Sequence, residues 1–206
     1  IVIFLAALSI LTIPFQSEKR QRDKNVPFIS IPRGPLLTIA FITFFASLGE
    51  GAIADWSAIF LISVLSINDG SAALGFTVFS ICMFAMRLMG DRISFKFGPS
   101  KTARYSGLVA LIGSIILLTF ESFFPLLIGF GLIGLGIAVI IPLAFSRAGN
   151  DKNISQGVAI ASIATLGYGG MLIGPLFIGF IAQATSIKTS FLIFPILAFL
   201  IFVLSK

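Results

Sequence analysis

Apolar residues along this chain fall in long runs, without the alternation of a half-buried strand or the narrow stripe of a surface helix. Crossing the roughly 30 Å hydrocarbon core of a bilayer takes about 20 helical residues. Apolar segments at 36–65, 72–93, 103–120, 122–146, 155–183 and 188–205 meet that length or come close to it, and they predict six transmembrane helices. A further run opens the chain, IVIFLAALSILTIPF, without Met and without the basic start and small-residue cleavage site of a signal peptide. It reads as the end of a preceding helix, so that the chain is expected to be the back half of a longer protein. The stretch QSEKRQRDKNVPFISIPRGP follows, with three prolines and five Lys/Arg, and suits a linker at the membrane surface. The organisation expected is thus a helix end at 1–15, a cytoplasmic linker at 16–35 and a six-helix transmembrane bundle at 36–206, in an all-α membrane protein.

Composition narrows the chemistry. Of 206 residues 57% are hydrophobic and 11% charged, with a mean hydropathy of +1.10, whereas soluble domains are about one quarter charged. The absence of His excludes His-ligated metals and His-dependent triads, and the single cysteine, Cys82, can form neither an intrachain disulfide nor a CxxC site. No metal or cofactor is expected, and without a visible nucleophile–base pair an enzyme is a poor reading. The net charge of +6 sits in short loops, not in a nucleic-acid-binding patch. Counting Lys206, 12 Lys/Arg lie in the linker, the 91–104 and 147–153 loops and the C-terminus, against Lys188 alone on the opposite side. By the positive-inside rule this places linker and C-terminus in the cytoplasm, in a multi-pass protein of a bacterial inner membrane.

Helices in lipid associate through close packing of small residues. Gly167, Gly170 and Gly174 lie three and four residues apart on one stripe, before Pro175, and Gly129, Gly131, Gly134 and Gly136 mark the 122–146 span. Two readings stand side by side: fixed packing, or smooth surfaces on which two bundles slide.

Ionisable residues at membrane depth are costly and usually face a cavity or a partner. Glu50 lies midway along its span. At 100° per residue it shares a face with Thr43, Ala46, Ser47, Ala54 and Ser57, opposite Phe41, Phe44, Phe45, Leu48 and Ile59. That pattern fits a helix with one side on a cavity and the other on lipid. In low dielectric a carboxyl favours its neutral form, so Glu50 suits a group that takes up and releases a proton; hydroxyl binding, cation pairing or a structural bond are the alternatives. Asp55 points away from Glu50 unless Gly49 and Gly51 unwind the helix; otherwise it is an interfacial neighbour of Trp56. Arg87 lies four residues before Asp91 and suits a gate or a helix-end brace with it. Rise per residue sets Arg87 much shallower than Glu50, so a direct pair between them is not expected. Tyr168 lies off the glycine stripe, where it could contact a substrate or simply pack.

These residues carry a resemblance. The loop RLMGDRISFKFGPSK, with Asp91, Arg92, Phe97, Gly98 and Lys101, resembles the cytoplasmic loop signature of the major facilitator superfamily, although Arg87 replaces its initial Gly. Gly170 to Pro175 is similar to the GxxxGP element of many facilitators, and GEGAIADWS at 49–57 resembles the seventh helix of bacterial members near the fucose-permease-like transporters. The resemblance implies the C-terminal half of a twelve-helix fold, in which two six-helix halves rock about a central site. It implies a gating role for the loop residues Arg87, Asp91, Arg92 and Gly98. The expected function is proton-coupled transport of a small polar, sugar-like solute, with substrate and protons, the lipid bilayer and a missing N-terminal half as partners. A multidrug/proton antiporter is the near alternative; a half-sized channel or membrane scaffold is the one from another class.

Overall fold

The computed structural model describes residues 34–151 and 154–205. The opening run at 1–15, the linker before Gly34, Lys152 and Lys206 lie outside the described residues, together with the readings that rest on them.

Among the described residues every regular element is a helix. Helix α1 (Pro35–Leu65) is joined by a turn to α2 (Asp69–Ala72), which leads directly into α3 (Leu74–Phe97). Then come α4 (Pro99–Thr119), α5 (Phe123–Ile137), α6 (Ile140–Gly149), α7 (Gln156–Ala184), α8 (Ile187–Ser190) and α9 (Ile193–Leu204). Grouped by span they give six helices long and apolar enough to cross a membrane: 36–65, 69–97, 99–119, 123–149, 156–184 and 187–204.

Proline and glycine set the joints. Pro35 and Pro99 stand at first helical positions, where a missing N–H costs nothing. Gly98 joins α3 to α4 at φ 84°, a left-handed conformation that favours glycine. Its N–H closes α3 on the Ser94 carbonyl at 2.8 Å, and its own carbonyl accepts from Thr102 of α4 at 3.0 Å.

One span differs from its sequence pattern. The apolar run at 122–146 predicts a single helix, but a turn at 138–139 divides it into α5 and α6. Pro142 explains the break, because it has no N–H to offer the carbonyl four residues earlier, that of Ala138.

The tightest seam joins α1 to α7. Gly170 lies against the Phe44 carbonyl, Gly174 against the Leu48 carbonyl, and Gly51 of α1 against the Met171 carbonyl of α7. An added Cβ would come within 2.2 to 2.4 Å of those oxygens, closer than any side-chain carbon can sit. Pro175 leaves the Met171 carbonyl without its helical donor, so it is this free oxygen that Gly51 approaches. The glycine stripe therefore packs inside one bundle. Gly170 and Gly174 of that stripe meet backbone of α1 within this bundle.

A second glycine face lies on α5. Gly134 abuts the Phe79 carbonyl of α3, and Gly136 the Ser106 carbonyl and Ala110 N–H of α4. At the end of the bundle carrying the 120–122 and 185–187 turns, Phe60, Phe130, Phe191 and Phe194 form an aromatic core, with Phe60 and Phe191 stacked at 4.1 Å.

Candidate functional site

Glu50 and Arg87 meet. Arg87 Nη2 lies 3.3 Å from Glu50 Oε1 and 3.4 Å from Oε2, an ion pair between α1 and α3. This overturns the expectation that the two stand at different depths. The 72–93 apolar run understates the helix, which begins at Asp69 and runs to Phe97, and depth is properly counted from the 66–68 turn that joins the two spans. Counted so, both residues sit at similar distances from that turn, and the long arginine side chain bridges the remainder. A charge in a span that finds an opposite charge is the usual arrangement at membrane depth.

Arg87 has a second acceptor: its Nε donates to the Ala138 carbonyl at 3.4 Å. That carbonyl is the one Pro142 leaves without a helical donor. The guanidinium thus ties three pieces together, α1 through Glu50, α3 through its own backbone, and the turn between α5 and α6. Sequence reasoning missed this third contact, and the signal for it was a proline inside an apolar run. The side chains remain partly open, 42% for Arg87 and 20% for Glu50. Asp91 is exposed and makes no ion pair with Arg87, so the expected helix-end brace is absent.

The rest of the polar face of α1 has a different fate. Thr43 and Ser47 are buried, and both face Gly167 of α7 across the seam; the Thr43 hydroxyl donates to the Ile39 carbonyl in its own helix. The opposite face is covered only in part: the backbone at Phe44 and Leu48 receives the α7 glycines, whereas Phe41 and Ile59 stay exposed. A helical wheel reports polarity, but in lipid small and polar residues turn toward neighbouring helices as readily as toward a cavity.

Helix α1 runs unbroken from Pro35 to Leu65, so Gly49 and Gly51 do not unwind it and do not bring Asp55 to Glu50. Gly51 serves the seam, and Gly49 packs on Phe194 and Leu197. Asp55 is exposed beside Trp56, whose indole donates to the Pro175 carbonyl of α7 at 3.0 Å. Tyr168, 67% exposed, lies on the open face of α7, away from the stripe of Gly167, Gly170 and Gly174. Arg92 is exposed near the α3–α4 joint that Gly98 forms.

Below the pair a cleft of about 530 Å³ runs between α3 and α6 toward the end carrying Gly98 and Asn150. Arg87 is at its head; Asp91, Ser94, Ser146, Arg147 and Asn150 supply its other polar groups. No group of three or more metal-ligating side chains occurs among the described residues. At the opposite end Lys188 pairs with Glu121, whose carboxyl is held below its ordinary value of 4.5 by the hydrogen bond and charge of Lys188.

Six apolar spans, tied in their interior by a charge pair, define one bundle of a polytopic membrane protein. No family model matches the chain. It is 36% identical over 195 residues to the uncharacterized transporter y4wD of Sinorhizobium fredii, covering 95% of this chain and 52% of that protein. An uncharacterized MFS-type transporter of Yersinia pestis is 40% identical over 165 residues, 80% of this chain and 43% of the relative. The membrane protein MosC of Rhizobium meliloti is 36% identical over 157 residues, covering 76% of this chain and 39% of MosC. The chain thus spans about half the length of the curated relatives it matches. Among solved structures, the peptide transporter POT in complex with sulfate superposes with a TM-score of 0.73 at 20% identity, over 85% of this chain and 39% of that one. The fold is one six-helix half of the facilitator architecture, and the sequence is similar to part of a relative named as an MFS-type transporter.

Proposed function

We propose that the chain is the C-terminal half of a secondary transporter that moves a small polar, sugar-like solute by alternating access and couples it to protons. Its setting is a bacterial inner membrane, with the loops at 98 and 150 and the C-terminus in the cytoplasm, the side the positive-inside rule assigns to their basic residues. The observation that carries this reading is the Glu50–Arg87 pair, placed within two spans and partly open. A carboxylate whose charge is balanced by one guanidinium can accept a proton, and the balance then shifts to whatever anion or dipole is nearest. Named transporters among the relatives support the role.

The test is uptake in proteoliposomes holding the whole gene product. Saturable accumulation of a labelled sugar, driven by an inward proton gradient and collapsed by a protonophore, is expected. Flux that neither saturates nor follows the gradient identifies a channel; extrusion of amphipathic dyes identifies an exporter.

A further inference from the structure

We infer that the cavity at the end of the bundle where α1 and α4 begin and α6 and α9 finish binds a phosphate group, held by Arg147, by the free N–H groups that open α4 and by the Ser205 hydroxyl, and that its bearer is a small soluble phosphate ester. The inference goes beyond the transporter reading and does not depend on which solute crosses.

An orphaned hydroxyl carries it. Ser205 lines this cavity of about 270 Å³ and is only 5% exposed, and its buried Oγ finds no hydrogen-bond partner. Ser114 and Ser162, equally buried, avoid that state by donating to carbonyls of their own helices at 2.6 and 2.8 Å. A hydroxyl taken out of water without a partner is unfavourable, so the position calls for a ligand that accepts its proton.

The N-terminus of α4 meets the same space. Gly98 gives its N–H to the Ser94 carbonyl, Pro99 has none, and Thr102 donates to the Gly98 carbonyl. The N–H groups of Ser100 and Lys101 therefore stay free at the positive end of a 21-residue helix, with Pro99 and Ser100 in the cavity wall. Arg147, in the last turn of α6, lines it too, and no Asp or Glu stands among the described lining residues. A guanidinium, free backbone donors and the hydroxyls of Thr38, Ser100 and Ser205 make a positive, donor-rich site, the complement of a phosphate.

Shape favours a soluble bearer. The walls come from four helices, and α4 and α9 close on each other: a Cβ on Gly107 would come within 2.7 Å of the Phe202 nitrogen, and Arg104 covers the Phe202 ring at 4.7 Å. A two-tailed lipid would have to part these helices, whereas a small ester entering from the aqueous end would not. The volume lies below the roughly 300–1,000 Å³ of pockets that enclose drug-sized ligands, so it suits a group of few atoms. Leu204 and Ser205 bring the carbonyl end of α9 to the wall, which favours a ligand with hydroxyl donors beside its phosphate. Helix α6 stands between this cavity and the cleft that reaches Arg87; Pro99, Leu143 and Arg147 border both.

Thermal stabilisation of the whole gene product in detergent tests this at constant ionic strength, with glycerol 2-phosphate and inorganic phosphate as probes and glycerol and sodium chloride as controls. Glycerol 2-phosphate should raise the unfolding midpoint in a dose-dependent way, inorganic phosphate less, and the controls not at all. Ser205→Ala should weaken glycerol 2-phosphate about tenfold, the worth of one charged hydrogen bond. Without ligand the same variant should keep or raise the midpoint, because an unpartnered hydroxyl is gone; a merely structural serine would lower it. Arg147→Gln, at an exposed position, should fold and weaken both phosphates at least tenfold. No stabilisation of the wild type by either phosphate, or stabilisation unchanged in both variants, overturns the inference. So does stabilisation that depends on Arg147 in phosphatidylglycerol nanodiscs, relative to phosphatidylcholine ones, while the soluble phosphates do nothing, since the bearer would then be a lipid. Flux in proteoliposomes decides the transporter reading separately, whatever these midpoints show.

Discussion

The indole Nε1 of Trp56 donates to the carbonyl of Pro175, 3.0 Å away across the α1–α7 seam and one turn beyond the place where Gly51 meets the Met171 carbonyl. Two consecutive turns of a proline-bearing helix are thus served by the neighbouring helix, one by close glycine contact and one by an indole N–H. Trp56→Phe keeps an aromatic ring and removes the donor. It should cost about 1 kcal/mol, read as a lower unfolding midpoint in detergent. An unchanged midpoint would show that the hydrogen bond contributes nothing to the seam.

The seam makes a sharp contrast within one helix. Gly170→Ala and Gly174→Ala drive a Cβ into the Phe44 and Leu48 carbonyls at 2.4 and 2.2 Å. Each should destabilise by about 1–3 kcal/mol, because the obstacle is backbone. Gly169, with nothing within 4 Å of its Cβ position, should tolerate Ala or gain about 0.5–1 kcal/mol from helix propensity. Yield and unfolding midpoint of the three variants check this, and equal behaviour would refute the packing.

Glu50→Gln preserves volume and removes titration. Proton-driven accumulation should be lost, with counterflow exchange partly retained. Arg87→Gln should lower both, since it leaves the Glu50 carboxylate and the Ala138 carbonyl without their shared donor. Both fluxes measured in the same vesicles separate the roles, and unchanged accumulation in Glu50→Gln would remove that carboxyl from coupling.

Glu121 gives a pH prediction at the other end. Lys188 lowers its folded pKa below 4.5, so the stability it contributes is present above the unfolded value and disappears as pH falls through the folded one. Wild type should therefore exceed Glu121→Gln in unfolding midpoint at neutral pH, with the gap closing in acid. Both groups are solvent-exposed, so salt should shrink the gap as well. A gap that persists in acid would point to a contact other than the ion pair.

Much of the architecture was legible in the chain because bilayer thickness fixes the length of an apolar run; the spans at 36–65 and 155–183 match their helices to within a residue or two. Gly167, Gly170 and Gly174 were legible as a packing stripe, but not their partner, because a stripe carries no information about which helix meets it. Glu50 stood out as a charge within an apolar span. Its pairing with Arg87 did not, because hydropathy underestimates a helix whose ends are polar, and the apolar run alone sets Arg87 too close to its end. The turn at 138–139 was hidden for a related reason: Ile140, Ile141 and Leu143 keep the run apolar while Pro142 removes the hydrogen bond that would keep it straight. The Trp56 contact with Pro175 spans 119 positions, and no local pattern encodes it.

The interlocked carbonyls and glycines of α1 and α7 have a mechanical consequence. Neither helix can slip along the other without driving backbone into backbone, so the two act as one beam, about 45 Å long at 1.5 Å per residue. Glu50 sits near its midpoint, close to where a fulcrum would stand. A few degrees of rotation there swing the two ends in opposite directions, so that loosening at one membrane face is geared to tightening at the other.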